Sequence, residues 1–113
     1  SQITMSVCTG SALLAKAGLL DGLAATTNKM FFELARSQSD QVDWQEAARW
    51  VDAGRYVTSS GVSAGTDMAL AVIQRLFGPE AAQNVVNYTE YQWHQDAAKD
   101  PFESLLNQGQ LPA

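Results

Sequence analysis

Apolar and polar residues alternate at the start of the chain. Ile3, Met5 and Val7 are separated by Thr4 and Ser6, the two-residue period of a strand. From Ser11 the period lengthens: Leu13, Leu14 and Ala17 fall at helical spacing and Gly18 supplies a stop. The pattern therefore predicts a strand that passes into a helix within a few residues, and the only cysteine, Cys8, stands at the junction. Residues 23–27 read as a short strand, and Asn28 caps a helix over residues 29–37 that buries Met30, Phe31, Leu34 and Ala35. Residues 42–44 read as a brief extended piece, and residues 47–52 and 55–58 as two strands around an Ala53-Gly54 turn. Glu46, Arg49, Asp52 and Arg55 read as a solvated face with weak ion pairs. Residues 68–77 form an apolar helix ended by Gly78-Pro79. A last helix over residues 80–92 turns Ala81, Ala82, Val85, Val86 and Tyr88 inward. About four strands and four helices are expected, an α/β pattern. Only Ser1 and Gln2 precede the first strand, whereas an open α/β sheet has further strands around such a position. The segment is therefore expected to be part of a longer protein, or to be completed by another chain.

Composition narrows the class. The 113 residues suffice for one small domain with a core, and 46% hydrophobic against 17% charged residues indicates a globular chain. The formal net charge is −5 and Lys and Arg nowhere cluster, which argues against binding nucleic acid or an anionic membrane. A lone cysteine makes no internal disulfide, pointing to a reducing, cytoplasmic setting. One Cys and one His give no expectation of a metal site, and no cofactor is expected. No apolar run reaches membrane-spanning length, and no signal peptide or internal repeat is visible.

The chemistry concentrates at Cys8. A sharp strand-to-helix turn crowds the backbone, so the positions two before and two after must be small; here they are Ser6 and Gly10. This is the pattern of a nucleophile elbow, with Cys where a hydrolase carries Ser. A thiol there faces the positive end of a helix and its unpaired N–H groups, which favour the thiolate. The Thr9 and Gly10 N–H groups are candidate oxyanion donors. Cysteines are often simply buried and inert; the coincidence of strand, small neighbours and helix start points instead to a nucleophile. Residues 59–67, from Ser59 to Asp67, are a second run of small residues, of the kind that lets backbone approach a ligand. Neither GxxxxGK[ST] nor GxGxxG occurs, so a phosphate loop is set aside. Asp67 reads as a dipole partner or local acceptor near a helix start. His94, the only histidine, is a candidate partner for Cys8, but beside Trp93 at a helix end it reads as a surface cap.

These residues carry a resemblance. Ser6-Val7-Cys8-Thr9-Gly10-Ser11, Ala17-Gly18-Leu19-Leu20-Asp21-Gly22, Ala25-Thr26-Thr27 and the run from Thr58 to Leu70, in this order, resemble the ThiJ/PfpI superfamily. The resemblance implies a class I glutamine amidotransferase-like, flavodoxin-like fold: a three-layer sandwich around a mostly parallel sheet, commonly dimeric, of which this chain is the C-terminal half. It implies that Cys8 is the elbow nucleophile and that Ser60, Gly61 and Val62 line the pocket. Protease-like members carry His after the cysteine, whereas Thr9 stands here, as in the isonitrile hydratase branch. That branch implies attack by Cys8 on the carbon of an isonitrile, followed by water, to give an N-substituted formamide, with Thr9 placing the sulfur or the water. The acidic residue that such sites take from the N-terminal half has no counterpart here, and Asn28-Lys29 replaces the His and aromatic of several relatives. Two alternatives come with the superfamily: a non-catalytic sensing domain ahead of an AraC-type DNA-binding region, and a redox or stress protein in which Cys8 is oxidised. The first calls for a basic helix-turn-helix segment, which the sequence up to Leu111-Pro112-Ala113 does not contain.

Overall fold

The computed structural model describes residues 2–108; Ser1 and residues 109–113, including Leu111-Pro112-Ala113, lie outside it. In chain order the elements are β1 (Thr4–Ser6), α1 (Gly10–Lys16), β2 (Ala24–Ala25), α2 (Phe32–Arg36), β3 (Asp43–Trp44), β4 (Trp50–Asp52), β5 (Tyr56–Ser59), α3 (Val62–Phe77) and α4 (Pro79–Thr89), followed by a 3-10 turn at Glu103–Leu105. β5 is central in a three-stranded sheet, parallel to β1 and antiparallel to β4; β2 and β3 form a second, parallel pair.

The register explains the layering. Met5 lies opposite Val57, and Thr4 and Ser6 lie opposite Tyr56 and Thr58, so alternate residues of β5 face opposite sides. On one side Val57 joins Trp50, Met68 and Val72, with Ile3 packed against them, beneath α3. On the other, Tyr56 packs against Ala15, Leu20, Ala25 and Val42, beneath α1. A sheet with helices on both faces is the expected three-layer α/β architecture. Among the described residues no strand pairs with the outer edge of β1, and Met5 and Val7 beside it stay exposed.

The antiparallel pairing of β4 with β5 follows the predicted turn, with Gly54 in the left-handed region at φ +94°. Three expectations are corrected. α2 is one turn and a half long, starts at Phe32 and buries Phe32 and Ala35, leaving Met30, Phe31 and Leu34 exposed. Phe32 is held edge-on by Trp44, with centroids 6.1 Å apart, and its ring lies under Lys29 and Arg36, which fixes that rotation of the helix. α3 begins at Val62, six residues before the predicted start, so Ser63, Ala64, Gly65 and Thr66 form its first turns. Gly65 has no room for a side chain, since a Cβ there would come within 2.8 Å of a Val7 methyl: the helix is laid directly on the residue before Cys8. In α4 only Ala82 is buried; Tyr88 is 91% exposed and Val85 is also open, because little of the described chain covers that face. No described helix is long and apolar enough to cross a membrane.

Candidate functional site

The strand-to-helix turn is built as its small residues require. Cys8 sits at φ +59°, in the left-handed region that a side chain with a Cβ rarely occupies. Ser6 lies beneath the turn, 3.5 Å from where a Cβ on Gly10 would stand, so the two segments are already in van der Waals contact there. The Gly10 N–H donates to the Val7 carbonyl at 3.0 Å and closes the turn. Of the two candidate oxyanion donors, Gly10 is thus engaged, whereas the Thr9 N–H has no acceptor among the described residues. The Thr27 hydroxyl donates to the Cys8 carbonyl at 2.9 Å, pinning the strained residue to the end of β2. Cys8 itself is half-buried and its thiol is free.

Two depressions flank the turn. A groove of about 400 Å³ runs between α1 and α2, lined by Thr9, Gly10, Leu13, Lys16, Leu34 and Gln38 with Ala12. A cleft of about 200 Å³ lies at the start of α3, lined by Asn28, Lys29, Met30, Arg49, Ser60, Gly61, Ser63, Phe102 and Leu105. The sequence-predicted residues divide between them: Thr9 and Gly10 border the groove, Ser60 and Gly61 the cleft. Val62 borders neither and is 76% exposed, because the first turn of α3 rotates it away from Ser60 and Ser63. Cys8 lines neither depression but adjoins both, through Thr9 on one side and through Thr27, next to Asn28, on the other.

Beneath the cleft lies a buried ionic cluster that sequence reading missed. Arg49 was expected on a solvated face; it is 5% exposed. Its Nε donates to Asp67 Oδ2 at 2.7 Å, its Nη1 to Asp100 Oδ1 at 3.3 Å, and its Nη2 lies 2.7 Å from Asp67 Oδ2. Two carboxylates on one buried guanidinium offset its desolvation. The other Asp67 oxygen accepts the His94 N–H at 3.1 Å. Asp67 is therefore a buried acceptor in the second turn of α3 rather than a dipole partner at its start. Lys29 is also buried; its Nζ donates to Thr26 Oγ1 at 2.8 Å and to the Ala48 carbonyl at 2.6 Å, and stands 3.8 Å from Asp100 Oδ2. Burial pushes the Lys29 ammonium down to about 8, against the pull of Asp100, Glu103 and Glu46. A segment after α4 closes over this cluster: Asp100 N–H donates to Ala47 O at 2.8 Å, and Asn107 N–H to Lys29 O at 2.7 Å. The His94 ring nitrogen faces the Lys99 carbonyl at 3.2 Å, not Cys8. Among the described residues no group of three or more His, Cys, Asp or Glu side chains could hold a metal ion.

A lysine directly before the apolar run Met30-Phe31-Phe32 and an arginine between Ala48 and Trp50 were the available signals for this cluster. A charged residue amid apolar neighbours is buried only if it is paired.

The chain is 38% identical over 104 residues to isonitrile hydratase of Pseudomonas putida, which covers 88% of this chain and 40% of that protein. It is 32% identical over 108 residues to the HTH-type transcriptional regulator GbdR of Pseudomonas aeruginosa, covering 93% of this chain and 29% of the regulator. The chain thus spans less than half the length of either relative. A crystal structure of a ThiJ/PfpI family protein from Pseudomonas syringae superposes with a TM-score of 0.66 at 30% identity, over 83% of this chain and 38% of that one. The model of the DJ-1/PfpI family matches residues 1–75, the span that holds the strained cysteine, the Thr27 tether and the small-residue start of α3; the chain belongs to the DJ-1/PfpI family.

Proposed function

We propose that this chain supplies the nucleophile of a DJ-1/PfpI site that hydrates a small electrophilic molecule, in the manner of an isonitrile hydratase. The observation that carries the reading is Cys8 at φ +59° in the strand-to-helix turn, strain of the kind that clusters where a reacting group must be presented. In this scheme Sγ adds to the terminal carbon of R–N≡C while a proton is delivered to that carbon, giving the thioimidate R–N=CH–S–Cys8. Water then attacks the same carbon, the C–S bond breaks, the nitrogen gains a proton, and R–NH–CHO leaves with the thiol regenerated. The Thr9 hydroxyl and its unengaged N–H, next in sequence to Cys8, would place the water or meet developing negative charge. The proton donor is an acidic residue of a further segment, an N-terminal half in cis or a second chain. A homodimer and a cytoplasmic location belong to the same reading. The test is formamide production from a simple alkyl isonitrile: Cys8→Ala is expected to lower it by at least about 1,000-fold. Undiminished turnover by that variant would end the proposal.

A second reading is favoured by the similarity to GbdR across 93% of the chain: a ligand-sensing domain of an AraC-type regulator. DNA would then be contacted by a different segment, and the scarcity of basic residues here speaks only for this one. Under this reading Cys8→Ala leaves the ligand response of the intact protein in place and no isonitrile is consumed.

A further inference from the structure

The cleft at the start of α3 has a chemistry of its own, independent of the thiol. α3 is 16 residues long, and its N-cap, Gly61, has no side chain to offer. The first backbone bond of the helix runs from the Gly65 N–H to the Gly61 carbonyl at 3.1 Å. The N–H groups of Val62, Ser63 and Ala64 therefore have no acceptor among the described residues, and such groups attract an anion. A second observation points the same way. Ser60 lines this cleft, is only 2% exposed, and its hydroxyl makes no hydrogen bond among the described residues. A hydroxyl so nearly buried is ordinarily satisfied; here the cleft is what it faces. Third, the charges are arranged asymmetrically. Lys29 and Arg49 border the cleft, whereas their partners Asp67 and Asp100 do not. The charged residues that line the cavity are thus both basic, while the four charges of the cluster sum to zero, which suits a monoanion better than a dianion. Met30, Phe102 and Leu105 supply apolar walls. The volume is about 200 Å³, and cavities of ~150 Å³ already admit benzene.

We propose that this cleft binds a small monocarboxylic acid, its carboxylate at the α3 N-terminus against the Ser60 hydroxyl and its apolar body on Met30, Phe102 and Leu105. The site goes beyond the cysteine chemistry and does not require it, so a protein that consumes no isonitrile still binds the acid. The test is an amide NMR titration with sodium hexanoate, hexanamide and inorganic phosphate as probes. Hexanoate is expected to move the Val62 and Ser63 N–H resonances and to bind at least about tenfold more tightly than hexanamide, which keeps the length but loses the charge. Ser60→Ala is expected to weaken hexanoate by about tenfold with the rest of the spectrum preserved. Equal binding of hexanamide or of phosphate, shifts confined to residues outside the cleft, or no change on Ser60→Ala would overturn the assignment.

Discussion

Replacing Arg49 with Met keeps much of the side chain's length and removes its charge. Asp67 Oδ2 then loses the partner held at 2.7 Å, and Asp100 Oδ1 the one at 3.3 Å. Asp67 keeps only the His94 N–H at 3.1 Å on its other oxygen, and Asp100 keeps the Phe102 N–H and Lys29 at 3.8 Å. Both side chains are fully buried, so water cannot replace what is lost. Breaking a buried pair from one side costs about 3–5 kcal/mol, mostly for the uncompensated charge. Unfolding entropy near 60 °C is about 2.1 cal/mol/K per residue, or ~0.24 kcal/mol/K for a chain this long. A loss of ~4 kcal/mol thus lowers Tm by ~17 °C. Thermal unfolding followed by circular dichroism reads this directly. The double variant Arg49→Met/Asp67→Asn removes one of the two orphaned charges and is expected to recover at least about 1 kcal/mol over Arg49→Met alone. A fall in Tm under about 4 °C, or a double variant less stable than the single one, would refute the argument that charge pairing holds the cleft floor.

Lys29 sets a pH dependence. Its folded-state value of about 8 lies below the ordinary 10.5, so the unfolded chain binds more protons between these values and stability rises with pH across that window. The gain is roughly 3 kcal/mol between pH 8 and 10.5; denaturant titrations of the protein and of Lys29→Met should differ by this slope, and identical slopes would count against it. Gly65→Ala places a Cβ within 2.8 Å of Val7 and should cost about 1–3 kcal/mol; adding Val7→Ala should restore most of it, and failure of that rescue would show that the contact is not the cause. Cys8→Gly relieves the left-handed strain at φ +59° and should raise stability by about 0.5–1 kcal/mol despite losing a side chain; urea unfolding that shows a loss instead would mean that Cys8 is not strained.

The parts of the molecule legible from sequence are those whose cause is local. The elbow could be read because Ser6 and Gly10 flank Cys8 within two residues, and the β4–β5 turn because Gly54 marks it. The β1–α1 junction, the strand at residues 24–25 and the layered α/β class followed. What could not be read is set by distant contacts. The early start of α3 runs through Ser63, Ala64, Gly65 and Thr66, whose smallness looked like loop character, whereas at Gly65 it is a packing demand from Val7. The burial of Arg49 depends on Asp67 and Asp100, 18 and 51 residues away, so its apolar neighbours Ala48 and Trp50 hint at burial but no local window names its partners. The stripe of α2 shifted because Lys29 was drawn inward by Thr26, Ala48 and Asp100, leaving Phe32 rather than Phe31 as the buried ring. The split of the predicted site residues between a groove and a cleft likewise depends on the segment carrying Phe102 and Leu105, whose sequence gives no sign of where it folds back.

The account stands on Cys8 being the atom that bonds to substrate. Intact-protein mass spectrometry after an acid quench of the protein with an alkyl isonitrile measures that bond. The expected result is an adduct of the isonitrile's mass that maps to Cys8 and is absent from Cys8→Ala. Formamide accumulating with no adduct, or an adduct that persists in Cys8→Ala, would contradict it.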